Sequence, residues 1–127
     1  MRFMVIIKGN AQSEAGILPP PEFMAAAGKY MEELHKADVL LDSAGLKPTS
    51  NGAKLRYRAG QLKVVDGPFA EAKEVIAGYF ILQAASKAEA VEWVKRFPFA
   101  AGGEQEGEGE LEIREFFELD ELPKPNA

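Results

Sequence analysis

Apolar residues along this chain fall into two kinds of pattern. Phe3-Met4-Val5-Ile6-Ile7 is an unbroken, β-branched-rich run, and Val75 to Leu82 is apolar on both alternating sets of positions. Successive strand side chains point to opposite faces, so runs of this kind predict strands covered on both sides. Elsewhere the steps are three and four. Phe23, Ala26, Ala27, Tyr30, Met31 and Leu34 place one apolar stripe on a helix over Glu22 to Lys36. Pro19-Pro20-Pro21 leads into it, since a first helical turn has no use for the amide that proline lacks. A second helix opens at Ser86-Lys87-Ala88-Glu89, where serine and the glutamate three residues on match a reciprocal cap. Ala90, Val91, Val94 and Phe97 form its inner stripe, and Pro98 ends it.

The remaining segments complete the order. Ala11 to Leu18 reads as loop, and Val39-Leu40-Leu41 starts a second strand, followed by a turn-rich stretch from Asp42 to Gly52. Lys54 to Arg58 and Gln61 to Val65 flank Ala59-Gly60 and alternate in polarity, predicting a β-hairpin with one wet face. Gly102 to Gly109 is a glycine/glutamate loop, and Leu111 to Leu119 predicts a last strand. The result is an α+β chain of ferredoxin-like, split βαβ type with an inserted hairpin and both helices on one sheet face. It is read as one domain over residues 1–119, with 120–127 as a flexible or partner-contacting tail. Two short helices cover one face only, so the apolar second face calls for a cover. A second copy packed sheet to sheet, a homodimer forming an α+β barrel, is the expected partner.

Composition narrows the chemistry. The 127 residues carry 15 basic and 20 acidic side chains, a formal charge of -5, which argues against broad nucleic-acid or anionic-membrane binding. Having no cysteine removes disulfides, thiolate metal sites and cysteine nucleophiles, and a single histidine rules out a multi-histidine metal site within one chain. No phosphate-cradling, dinucleotide or nucleophile-elbow motif occurs, so no cofactor and no metal are expected. The amino-terminal apolar run stops at Lys8, short of the ~7–15 residues of a signal peptide or the ~20 of a membrane span, so the expected location is cytoplasmic.

Asp66-Gly67-Pro68-Phe69-Ala70-Glu71-Ala72-Lys73-Glu74 resembles the signature of the DGPF group of the YCII-related family. The likeness extends through Met1 to Ile6, Glu32-Glu33-Leu34, Val39-Leu40-Leu41, Ile76-Ala77-Gly78-Tyr79, Glu89 to Arg96 and Glu112-Ile113-Arg114. It implies a homodimeric α+β barrel and, for some members, association with sigma-factor-like transcription regulators. This chain has Ala72 where relatives carry threonine, and Ala44 where they carry an acid. The histidine of shorter relatives falls near Gly28, not at His35, so no acid–base histidine is carried over.

The candidate site is read around that signature. Asp66 is the candidate acid/base, Glu71 and Glu74 are further acids, Lys73 is an anion contact, and Gly67, Pro68 and Phe69 shape the loop. Tyr30, Arg56, Tyr57 and Tyr79 are placed toward a helix–sheet cleft that suits a small anionic, partly aromatic ligand. His35 reads as a helix-end residue, Arg114 as one half of an ion pair, and Glu104 to Glu110 as a solvated loop. The function expected is a homodimeric small-ligand-binding or regulatory interaction module. The alternative is a lyase-, isomerase- or hydrolase-like enzyme using Asp66.

Overall fold

The computed structural model describes residues 1–69, 75–101 and 109–125. Six strands and three helices follow in the order β1 (Arg2–Lys8), α1 (Ala11–Glu14), α2 (Pro21–Lys36), β2 (Leu40–Gly45), β3 (Ala53–Arg58), β4 (Gln61–Asp66), β5 (Ile76–Gln83), α3 (Lys87–Val94) and β6 (Leu111–Glu115). Four of the strands form one antiparallel sheet in the order β2-β5-β1-β6, and among the described residues β3 and β4 pair only with each other. This is the ferredoxin-like order with a hairpin inserted between its second and third strands.

The two unbroken apolar runs become the two interior strands, β1 and β5. Phe3 and Val5 of β1 and Phe80 and Leu82 of β5 point toward the helices and are almost wholly buried, with Tyr30 and Leu34 of α2 packed on Val5, Phe80 and Leu82, and Ala90 of α3 on Phe3. Phe97, just past α3, stacks on Phe80 with ring centroids 6.3 Å apart and meets Tyr30 edge-on at 5.8 Å. Ser86 caps α3 by accepting from the Glu89 amide at 3.1 Å, while the Glu89 carboxylate reaches one residue further back, accepting from the Ala85 amide at 2.9 Å. Trp93 is half-buried against the core and carries the Arg96 guanidinium 5.0 Å above its ring, so the α3 stripe is wider than four residues.

Four expectations are corrected. Ala11–Glu14 is a helical turn, because Asn10 and Ser13 cap each other reciprocally. The second strand runs on to Gly45, since pairing with β5 outweighs the weak strand propensity of Asp42-Ser43-Ala44-Gly45. The last strand stops at Glu115, where pairing with β1 runs out at Phe3, and Leu119–Glu121 forms a 3-10 turn. The hairpin has two wet faces within one chain, every residue from Ala53 to Val64 being exposed. Among the described residues no helix is long and apolar enough to cross a membrane.

Candidate functional site

A cleft of about 420 Å³ opens between α2 and one end of the sheet. It exists because the strands carry little there. Ser43 and Gly45 of β2 and Gly78 of β5 line the floor, and a Cβ added at Gly45 meets nothing within 4 Å. Gly78 is different: a Cβ there would come within 2.7 Å of the Ala44 carbonyl oxygen, so glycine is what lets β2 and β5 close up. Phe23, Ala27 and Met31 of α2 form one wall, Phe97 and Phe99 another, and Ile17 to Pro20 run along the mouth. The lining is mainly apolar and aromatic, with Lys8, Asn10, Gln12, Ser13, Ser43 and Glu110 among its polar points.

Most of those polar groups already have partners. Asn10 and Ser13 exchange backbone-to-side-chain bonds of 2.9 Å, and the Lys8 ammonium sits 3.2 Å from Glu112. The Ser43 hydroxyl and the Glu110 carboxylate have no side-chain hydrogen bond or ion pair among the described residues. They are the groups available to orient a bound molecule.

Beside the cleft, Thr49 ties three segments together. Its hydroxyl and its amide both donate to the Glu14 carboxylate, and its hydroxyl oxygen accepts from the Phe69 amide at 3.0 Å. The Gly67 amide donates to the Gly52 carbonyl at 2.9 Å, and the Gly67–Pro68 peptide bond is cis. Phe69 is half-buried, with the Lys54 ammonium 4.5 Å from its ring centroid, and lines a shallower hollow together with Leu46, Thr49 and Ile76.

The two Thr49 hydrogen bonds, side-chain first, hold the Glu14 carboxyl below its ordinary value of 4.5, against a smaller opposing effect of desolvation. A depressed folded-state value stabilises the fold above the unfolded value and ceases to do so as pH falls through the folded one. Protection of the Thr49 amide against hydrogen exchange is therefore expected to be full near neutrality and to decline at pH values below 4.5. In Glu14→Gln that decline should disappear, because the replacement does not titrate. Unchanged acid sensitivity in the variant would place the effect elsewhere.

The structure disperses the residues singled out from the sequence. Tyr30 belongs to the core: it is 4% exposed and its hydroxyl donates to the Trp93 carbonyl at 2.9 Å. Burial pushes its phenol well above the ordinary range, which suits a residue that stays neutral. Tyr79 touches the cleft, but strand alternation puts its phenol on the far face of the sheet, where its hydroxyl lies 3.4 Å from Asp42. Arg56 and Tyr57 are exposed on the hairpin, and Asp66 is exposed at the end of β4. Gly67, Pro68 and Phe69 form the turn that follows, while Glu71, Lys73 and Glu74, and most of the Glu104 to Glu110 loop, lie outside the described residues. His35 is exposed in the last turn of α2, and Arg114 is exposed 3.9 Å from Glu112.

Sequence reasoning missed Glu14, Thr49, Ser43 and Gly45. For Glu14 a signal was present, since Asn10 followed three residues later by Ser13 is a helix-start pattern. Gly45 offered none, because an empty space beside a strand has no sequence signature.

Comparison with known proteins adds three findings. The model of the YCII-related domain matches residues 1–116. An uncharacterised protein of Rhizobium meliloti (strain 1021) is 39% identical over 74 residues, 58% of this chain and 56% of that one, so the match spans little more than half of the relative. Among solved structures, the 5-chloro-2-hydroxyhydroquinone dehydrochlorinase TftG from Burkholderia phenoliruptrix AC1100, in complex with 2,5-dihydroxybenzoquinone, is similar at a TM-score of 0.49 and 18% identity, over 92% of this chain and 94% of that one.

Proposed function

The chain belongs to the YCII-related domain family, and on that footing we propose that it is a homodimeric small-molecule-binding protein whose ligand enters the cleft between α2 and the sheet. The observation that carries the reading is the cleft itself: about 420 Å³, walled by Phe23, Met31, Phe97 and Phe99. Sites for small molecules have this size and this mixture of apolar walls with a few polar points. The Ser43 hydroxyl can donate or accept, and the Glu110 carboxylate accepts. Together they favour a ring-sized, largely apolar molecule bearing a hydroxyl. The anionic ligand expected from Arg56 loses its support, because that guanidinium is out on the hairpin.

The second copy is supported by the far face of the sheet. Met4 and Ile6 of β1 and Tyr79 and Ile81 of β5 alternate with the buried set, and the helices that pack on the sheet lie on the other side. An acid/base role for Asp66 finds little support, since its carboxylate is exposed and is not among the cleft's lining residues. Binding is accordingly preferred to catalysis.

The test is a thermal-shift panel of hydroxylated cyclic and aromatic compounds on the wild type and on Gly45→Phe. A ligand present at 100 times its Kd should stabilise the wild type by about 2.7 kcal/mol. Gly45→Phe fills open space in the cleft, so its unliganded melting temperature should stay close to the wild type while the ligand shift is lost. A shift that survives in Gly45→Phe would move the site away from the cleft.

A further inference from the structure

The β3–β4 hairpin presents a problem that the cleft does not solve. Leu55 pairs across from Val64, and Tyr57 from Leu62, so the four share one face, and they are 60–74% exposed. Lys54, Arg56, Arg58 and Lys63 fall on the other face. A lone two-stranded ribbon is marginal in water, and a contiguous apolar face of this kind marks an interaction surface. Its charge limits the partner. Residues 53–66 hold four of the chain's 15 cations and one of its 20 anions, so the arm carries +3 and the rest of the chain -8.

A matching surface lies at the other end of the molecule. After β6, Phe117 and Leu119 are 70% and 87% exposed, amid Glu115, Glu118, Asp120 and Glu121. The segment is held in place: Arg2 binds both Glu118 carboxylate oxygens at 3.1–3.2 Å and lies 5.0 Å over the Phe116 ring. Among the described ion pairs none uses Arg56, Arg58 or Lys63, and none uses Glu115 or Asp120. The arm is apolar on one face and carries its spare cations on the other, so it approaches as a positively charged element, and the tail segment is apolar with spare anions.

We propose that the hairpin is an arm that docks on the 115–122 segment of a second copy of this chain, and that the contact is reciprocal. Topology allows it. β2 and β6 are the two edges of the sheet, and β2 runs parallel to β1 while β6 runs antiparallel. The hairpin therefore leaves one corner of the sheet and the tail leaves the diagonally opposite one. A twofold axis along the diagonal that joins these two corners would set arm on arm and tail on tail; one along the other in-plane diagonal interchanges them and sets each arm over the partner's tail. The proposal shares with the sheet-face reading only its partner, a second copy.

The absence of cysteine makes the test clean. Tyr57→Cys and Leu119→Cys are prepared as separate full-length chains, both at exposed positions, and treated with a short bismaleimide alone and after mixing. Mixing should yield a covalent dimer, and neither variant alone should do so. In parallel, sedimentation velocity of Leu62→Glu should show dimerisation weakened at least tenfold relative to the wild type, with an unchanged circular dichroism spectrum. A wild-type dimer with no mixed cross-link overturns the arm and leaves the sheet-face dimer standing. A wild-type monomer overturns both, and self-cross-linking of Tyr57→Cys alone overturns the arm-to-tail pairing in favour of arm-to-arm contact.

Discussion

Phe80→Ala is expected to lower the free energy of unfolding by about 3–5 kcal/mol, the usual cost of truncating a fully buried phenylalanine. Phe80 has no exposure and sits on an interior strand between Tyr30, edge-on at 5.9 Å, and Phe97, stacked at 6.3 Å. Both neighbours are held from elsewhere. The Tyr30 hydroxyl is bonded to the Trp93 carbonyl, and Phe97 also touches Phe23 and Phe99. Neither is free to slide into the space, so a cavity should persist. Since a domain of this kind is stable by only about 5–15 kcal/mol, the loss should be plain in urea unfolding as a lower midpoint at unchanged slope. A loss under about 1.5 kcal/mol would mean that the aromatic cluster collapses after all.

Gly67→Ala should be nearly as damaging, at about 3 kcal/mol, though the residue lies in a turn outside the core. A Cβ at that position would lie 1.7 Å from the Thr49 carbonyl oxygen and 2.5 Å from its carbon, so backbone has to move. The backbone concerned is the Thr49 turn that holds Glu14 and Phe69, so the damage should spread to α1 and the mouth of the cleft. Gly28→Ala is the control. Its Cβ meets nothing within 4 Å in the middle of α2, and it should stabilise by roughly 0.5–1 kcal/mol through helix propensity. Equal effects from the two substitutions would show that glycine's flexibility, not the close approach to Thr49, sets the cost at Gly67.

The signature around Asp66 thus has a different meaning in three dimensions. Its glycine is required by a close approach and its phenylalanine by packing under Lys54, both of which are structural duties. The described part of the motif is tied to α1 through Thr49, and its Asp66 carboxylate is exposed and not among the cleft's lining residues. The structure also separates Tyr30, Arg56 and Tyr79. Each residue type suited a ligand, but they occupy the core, the hairpin and the far sheet face respectively.

Element type and order were legible from local periodicity alone. The runs at Phe3–Ile7 and Val75–Leu82, the α2 stripe and the Ser86 cap each name their structure through interactions a few residues long, and those interactions depend on nothing distant. The ends of β2 and β6 were not legible, because strand pairing can extend or curtail a strand against its own propensity. Nor was the cleft, which arises where small residues from two strands meet large ones from α2 and from beyond α3. A void has no residue of its own to be read; it is defined by what several distant segments leave unfilled.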